Sequence, residues 1–194
     1  MSTASVSTSS GAAPAGRHSR RAWGWHRLSA DWAARVVAAA AVRPGELVLD
    51  LGAGDGALTA PLLAAGARVV AVELHPARAA RLSQKFPQIT VVHADAATLR
   101  LPSRPFRVVA SPPYSHTAPL LRLLLAPGSR LTAADLVLQR AAVHRYAADP
   151  RAGRPGRPGR PAGGFRLHAG LPVPRRAFRP PPQVDSAVLV IRRR

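Results

Sequence analysis

Nine acidic side chains are spread over 194 residues, and four of them stand where chemistry is done. Asp50, Asp55, Glu73 and Asp95 fall at or just beyond the ends of short apolar runs that read as strands. Gly52, Gly54 and Gly56 interleave the first two of these acids, and each lacks a Cβ that would keep a ligand off the backbone. The spacing is G-x-G-x-G, which differs from the G-x-G-x-x-G of dinucleotide sites. A pyrophosphate would be repelled by such a cluster. A ligand bearing a sulfonium, an ammonium and ribose hydroxyls would be held by it, and S-adenosylmethionine has that chemistry. Glu73 follows Gly52 by 21 positions, the interval at which an acid closing the next strand accepts from ribose hydroxyls. The plainer alternative, a tight turn with no ligand, accounts for the glycines but not for the acids in register with them.

A second constellation is Ser111-Pro112-Pro113-Tyr114, which follows the strand-like run Phe106 to Ala110. Two prolines fix the backbone and remove its donors. Their carbonyls only accept, and an exocyclic amine has two hydrogens to give. Tyr114 offers an aromatic face on which a flipped base stacks. Taken alone, the tetrapeptide also reads as a rigid surface turn. Beside a methyl-donor pocket it reads as a site of amine methylation, with Ser111, Pro112 and Tyr114 as the catalytic residues. His75, His93 and His116 form no credible ligand set, and the chain has no cysteine, so no metal is expected.

These residues need a frame that gathers strand ends. Val48 to Leu51 is a buried strand, followed by the glycine turn and an apolar helix from Ala57 to Leu63. Strands are expected at Val69 to Glu73, Ile89 to Val92, Phe106 to Ala110 and Leu136 to Gln139. Helices are expected at Asp31 to Val42, Pro76 to Phe86 and Pro119 to Leu125. Such alternation predicts an α/β fold, a mainly parallel sheet with helices on both faces. Phe165 to Leu171 and Ala187 to Ile191 are expected to add two strands at the sheet edge, joined through Arg175 to Phe178 and Pro180 to Pro182.

Charge is distributed unevenly. The net value is +19, of which residues 1–30 supply +4, residues 31–150 +5 and residues 151–194 +10. Basic flanks around a nearly ordinary centre suit a polyanion, most simply nucleic acid. Arginine outnumbers lysine so heavily (Lys85 stands alone) that base composition of the genome is a competing cause. Residues 1–22 read as a disordered basic tail. Arg17, Arg20, Arg21 and Trp23 combine phosphate neutralisation with base stacking; a tryptophan packed on the core is the alternative. Residues 149–164, with Arg154, Arg157 and Arg160 in Arg-Pro-Gly repeats, read as a mobile basic loop. Residues 23–194 make one domain. No apolar run has the length of a membrane span, and no signal peptide is evident, so a cytoplasmic monomer without membrane contact is expected.

The ordered set VLDLGAGDGALT, VVAVELHP, VVHADA, VVASPPYS, DLVLQR and RAFRPPPQVDSAVLVIRR resembles the ribosomal RNA adenine N6-methyltransferases, over roughly residues 23–194. It looks closest to the short actinobacterial 23S enzymes of macrolide–lincosamide–streptogramin resistance. The resemblance implies a Rossmann-like class I methyltransferase sheet lacking most or all of a C-terminal helical domain. It implies S-adenosylmethionine as cofactor and 23S ribosomal RNA as partner. His26 and Leu28 keep the family's cofactor-touching pattern, whereas Trp25 and Arg27 depart from it. Gly52 and Gly54 would hold the cofactor, Glu73 its ribose, and Asp95 with Ala96 its adenine. Ser111 stands where the family usually has Asn, and Phe178 precedes Arg-Pro-Pro-Pro at a position near the target base. A serine hydroxyl still accepts, at shorter reach. A 16S dimethyltransferase, a DNA amino-methyltransferase and a catalytically silent RNA-binding homologue stay open as alternatives.

Overall fold

The computed structural model describes residues 26–148 and 164–194. Arg17, Arg20, Arg21 and Trp23 of the expected tail, and Arg154, Arg157 and Arg160 of the Arg-Pro-Gly segment, lie outside the described residues.

The strands are β1 (Arg27–Leu28), β2 (Leu47–Leu51), β3 (Arg68–Glu73), β4 (Thr90–His93), β5 (Phe106–Ala110), β6 (Leu131–Gln139), β7 (Phe165–Val173), β8 (Phe178–Arg179) and β9 (Ser186–Arg193). The helices are α1 (Ala30–Ala40), α2 (Thr59–Ala64), α3 (Pro76–Lys85), α4 (Thr117–Leu124) and α5 (Arg140–Ala148). Seven strands make one sheet in the order β4-β3-β2-β5-β6-β9-β7, and β1 pairs with β8 in a separate two-stranded ribbon. β2 to β6 run parallel, while β9 enters antiparallel between β6 and β7.

Period-2 alternation divides the core between two faces. Leu49, Leu51, Val108 and Ala110 pack against Leu120, Leu121 and Leu124 of α4 and Val143 of α5. Val48, Val69 and Val109 pack on the other face against Val36, Val37 and Ala40 of α1 and Leu62 of α2. The α/β architecture with helices on both faces is therefore the one expected.

Three elements were not legible in the sequence. α5 buries one side chain, Val143, so its sequence carries almost no helical stripe. The first half of β6 contains Ala133, Ala134 and Asp135, poor strand formers held in place by pairing to β5 and β9 on both sides. Asp135 is buried there, with Arg192 Nη2 at 2.8 Å and Arg107 Nε at 3.8 Å. Burial pushes its carboxyl above the usual carboxylate range, against the pull of the Arg192 and Arg107 guanidinia. The β1–β8 ribbon joins residues about 150 positions apart, beyond any local signal. The two C-terminal strands extend the sheet at its edge as expected, β9 against β6 and β7 outermost.

Candidate active site

The order of strands reverses between β2 and β5, and in open α/β sheets the carboxyl ends diverge at such a point and leave a crevice. Gly52 follows β2, Glu73 closes β3, Asp95 follows β4 and Ser111 follows β5. A cleft of about 370 Å³ opens among them, lined also by His26, Ala96, Pro112, Tyr114 and Phe178. A recess of about 20 Å³ adjoins it, shares His26, Gly52 and Ser111, and adds Leu28, Asp50 and Asp55.

The glycine turn is tied inward. The N–H groups of Gly52 and Ala53 donate to the Val72 carbonyl at 2.8 and 3.0 Å, and that of Gly54 donates to Glu73 Oε2 at 2.8 Å. Amides that would cradle a phosphate in a phosphate-binding loop are thus committed to β3, in keeping with a ligand that is not a pyrophosphate. Gly52 has φ +74°, and a Cβ there would lie 3.6 Å from both Pro112 Cα and Pro113 Cδ, so the glycine turn and the proline turn touch. Gly54 lines neither cavity and reaches the cleft only through Glu73. Gly56 serves packing rather than a ligand: a Cβ there would meet Leu82 Cδ2 of α3 at 3.0 Å and Cε2 of Phe86, just past the end of α3, at 2.5 Å.

Glu73 is buried, with its two oxygens accepting from the N–H groups of Gly54 and His75 at 2.8 Å each, and Arg78 Nη1 stands 4.0 Å away. Each oxygen keeps a lone pair for a further donor. Asp95 Oδ1 accepts from the Ala97 N–H at 2.8 Å, while Oδ2 has no protein partner among the described residues. Asp50 lies wholly inside the protein at the recess, accepting from the Thr59 hydroxyl at 2.7 Å. Burial, with a lesser contribution from the Glu73 charge, raises its pKa to about 7, against the lowering effect of the Thr59 hydroxyl. Free acceptors at Glu73 and Asp95 fit the hydroxyls and exocyclic amine of a nucleoside. Asp50 and Asp55 line the recess with Arg27, and Asp55 Oδ1 is already 3.5 Å from Arg81 Nη2, so Asp50 is the acid better placed to meet a cation. The residues present therefore suit S-adenosylmethionine.

Ser111 is half-buried, and its hydroxyl has no hydrogen-bond partner among the described residues. Tyr114 opens a 3-10 turn that leads into α4. Its hydroxyl lies 2.7 Å from Ser186 Oγ, at the start of β9, and its ring stacks with His26 at 6.2 Å between centroids and 26° between planes. Burial pushes the Tyr114 hydroxyl up from its ordinary pKa, opposed by the Ser186 bond. His26 Nδ1 is 2.9 Å from the Pro180 carbonyl, which only accepts, so that nitrogen carries the proton. Leu28 is buried at the recess, and Phe178 is 1% exposed, so Phe178 is reachable only by an occupant of the cleft. Ser186 escaped the sequence reading because it sits 72 residues from Tyr114; Asp50 was among the expected acids, but its burial was not legible.

Among the described residues no helix is long and apolar enough to cross a membrane, and no group of three or more His, Cys, Asp or Glu is placed to hold a metal ion.

Comparison with known proteins agrees with this geometry. The family model described as ribosomal RNA adenine dimethylase matches residues 28–194. Ribosomal RNA small subunit methyltransferase A of Leifsonia xyli is 40% identical over 174 residues, covering 84% of this chain and 61% of that protein. The mycinamicin-resistance protein MyrB of Micromonospora griseorubida is 39% identical over 165 residues, covering 83% of this chain and 50% of that protein. The crystal structure of the 23S rRNA methyltransferase ErmE matches with a TM-score of 0.73 at 32% identity, covering 87% of this chain and 70% of that one. The chain spans 61% and 50% of the lengths of those two curated relatives. With a family model matched from Leu28 to the last residue, on a sheet that gathers both motifs into one cleft, the chain belongs to the ribosomal RNA adenine dimethylase family.

Proposed function

We propose that the chain transfers a methyl group from S-adenosylmethionine to the N6 amine of an adenosine in 23S ribosomal RNA, the modification associated with macrolide–lincosamide–streptogramin resistance. One observation carries the reading: the nucleoside-binding acids Glu73 and Asp95 and the Ser111-Pro112-Pro113-Tyr114 turn line the same cleft. When bound, S-adenosylmethionine supplies an electrophilic methyl on a sulfonium. Glu73 accepts from its ribose hydroxyls and Asp95 from its adenine amine. Asp50 and Asp55 face its positive end.

The target adenosine leaves its stack and lies against Tyr114. Ser111 Oγ and the Pro112 carbonyl accept hydrogen bonds from the two amine hydrogens, which turns the nitrogen lone pair out of conjugation with the ring, and the proton the nitrogen sheds on methylation passes to water. Ser186 and His26 hold the Tyr114 ring in place, through the hydroxyl and the stacked face. Placement and fixed dipoles lower the barrier, and no strong general base is called for.

The 23S reading draws on MyrB and ErmE, whose names carry resistance and 23S rRNA. The Leifsonia relative, named for the small subunit, favours a 16S target as the second reading. Transfer of labelled methyl to naked 23S RNA, 16S RNA and DNA tests both. Label in an adenosine of 23S RNA is the expected result. Label in 16S RNA or DNA alone replaces the target, and no label in any of the three makes this a silent RNA-binding homologue.

A further inference from the structure

The β1–β8 ribbon sets like charges against each other. Its register pairs Arg27 with Arg179 and Leu28 with Phe178. Leu28 and Phe178 are buried and line the recess and the cleft, while Arg27 and Arg179 lie on the exposed side of the ribbon, Arg27 also touching the edge of the recess. Directly opposed like charges destabilise a strand pair. Here no carboxylate is paired with either one among the described residues, and exposed Arg175 and Arg176 add to the same field.

The ribbon is nonetheless well anchored. The Ser29 N–H donates to the Ala177 carbonyl at 2.8 Å, and His26 Nδ1 donates to the Pro180 carbonyl at 2.9 Å. The Arg179 guanidinium is also fixed: its Nη1 donates to the carbonyls of Arg176 and Phe178 at 3.0 Å each. That leaves Nε–H and Nη2, the parallel donor pair that binds a phosphate two-pronged.

We propose that Arg179, with Arg27 opposite it, forms an anion clamp that takes one phosphate of the RNA strand beside the target nucleotide. The proposal rests on the RNA-substrate reading and adds to it a phosphate site on the ribbon. The clamp predicts that the shape of the donor matters more than its charge. A fluorescein-labelled fragment of 23S rRNA, with a 16S fragment in parallel, is titrated against the full chain and the variants R179Q, R179K, R27Q and R27Q/R179Q at several salt concentrations. R179Q is expected to weaken binding roughly tenfold and to lower the salt slope by about one. R179K, which keeps the charge and loses the fork, is expected to fall close to R179Q. The double variant is expected to lose less than the two single losses combined, because both side chains hold one phosphate.

Wild-type affinity in R179K reduces the residue to a point charge and overturns the clamp. So do fully additive losses, which would mean two separate phosphates, and an unchanged affinity in R179Q. A wild-type chain that binds neither RNA sinks the RNA-substrate reading itself, which is a distinct outcome. The melting temperature of each variant verifies that the fold is intact.

Discussion

The carboxyl ends of β3 and β4 and the β1–β8 ribbon border one cleft and carry opposite charge. Glu73 and Asp95 mark the first region, with Asp50 and Asp55 in the adjoining recess; Arg27 and Arg179 mark the second, with Arg175 and Arg176 nearby. The acidic region is stiff because three of its acids already accept hydrogen bonds from the protein, Glu73 from Gly54 and His75, Asp95 from Ala97 and Asp50 from Thr59, and Asp55 is ion-paired with Arg81. The basic region is assembled over a long sequence separation and exposed. On the proposed function, the difference teaches how one small cleft would serve a cationic cofactor and a polyanionic substrate together. Cations would be favoured at the strand ends, and phosphates at the proposed clamp.

Tyr114 stands between the two regions, and removing its ring gives the largest expected effect. Tyr114→Ala is expected to abolish single-turnover methylation while S-adenosylmethionine binding by calorimetry stays near wild type, because the base loses its stacking platform. Ser111→Ala follows, with a slowing of about ten- to a thousandfold, the range for losing one positioned polar group. Ser111→Asn restores the family's usual acceptor and is expected to equal or exceed wild type. Full activity in Ser111→Ala would leave the orienting role to the Pro112 carbonyl alone.

Within the acidic region, Glu73→Ala is expected to weaken S-adenosylmethionine binding about tenfold or more. The structure sharpens that expectation, because Glu73 also holds the Gly54 and His75 amides. Glu73→Gln retains an acceptor oxygen and lies between wild type and Ala. RNA affinity measured at the same time should hardly move. An equal loss of RNA binding would erase the division between the two regions.

Asp50 gives the smallest effect and a pH dependence. Its folded pKa of about 7 is raised above the ordinary carboxylate value of 3.8. The folded state therefore holds the proton more tightly than the unfolded chain does. The stability this contributes is fully present below about pH 4 and is lost as pH rises to about 7. Asp50→Asn is expected to flatten the fall in melting temperature between about pH 4 and pH 7. A cation in the recess favours the ionised form, so wild-type cofactor affinity should rise over the same interval, and the Asn variant should lose that rise. Parallel pH profiles for the two proteins would remove Asp50 from the cofactor's surroundings.

The sequence determined the strands and their ends. Apolar runs such as Val48 to Leu51 and Phe106 to Ala110 have few alternatives to a buried parallel strand, and the acids and glycines that follow them are fixed in place by chain continuity alone. Gly52, Glu73, Asp95 and Ser111 were legible for that reason. Tertiary structure decided what depends on distant partners. Gly56 turned out to make room for Phe86, and Gly54 to hold Glu73. The Tyr114–Ser186 bond and the pairing of Arg27 with Arg179 join residues separated by 72 and 152 positions. Local propensity reaches a few residues along the chain. Opposing two arginines, or burying Asp50 until its proton stays on near neutral pH, takes the packed sheet that brings those distant segments together.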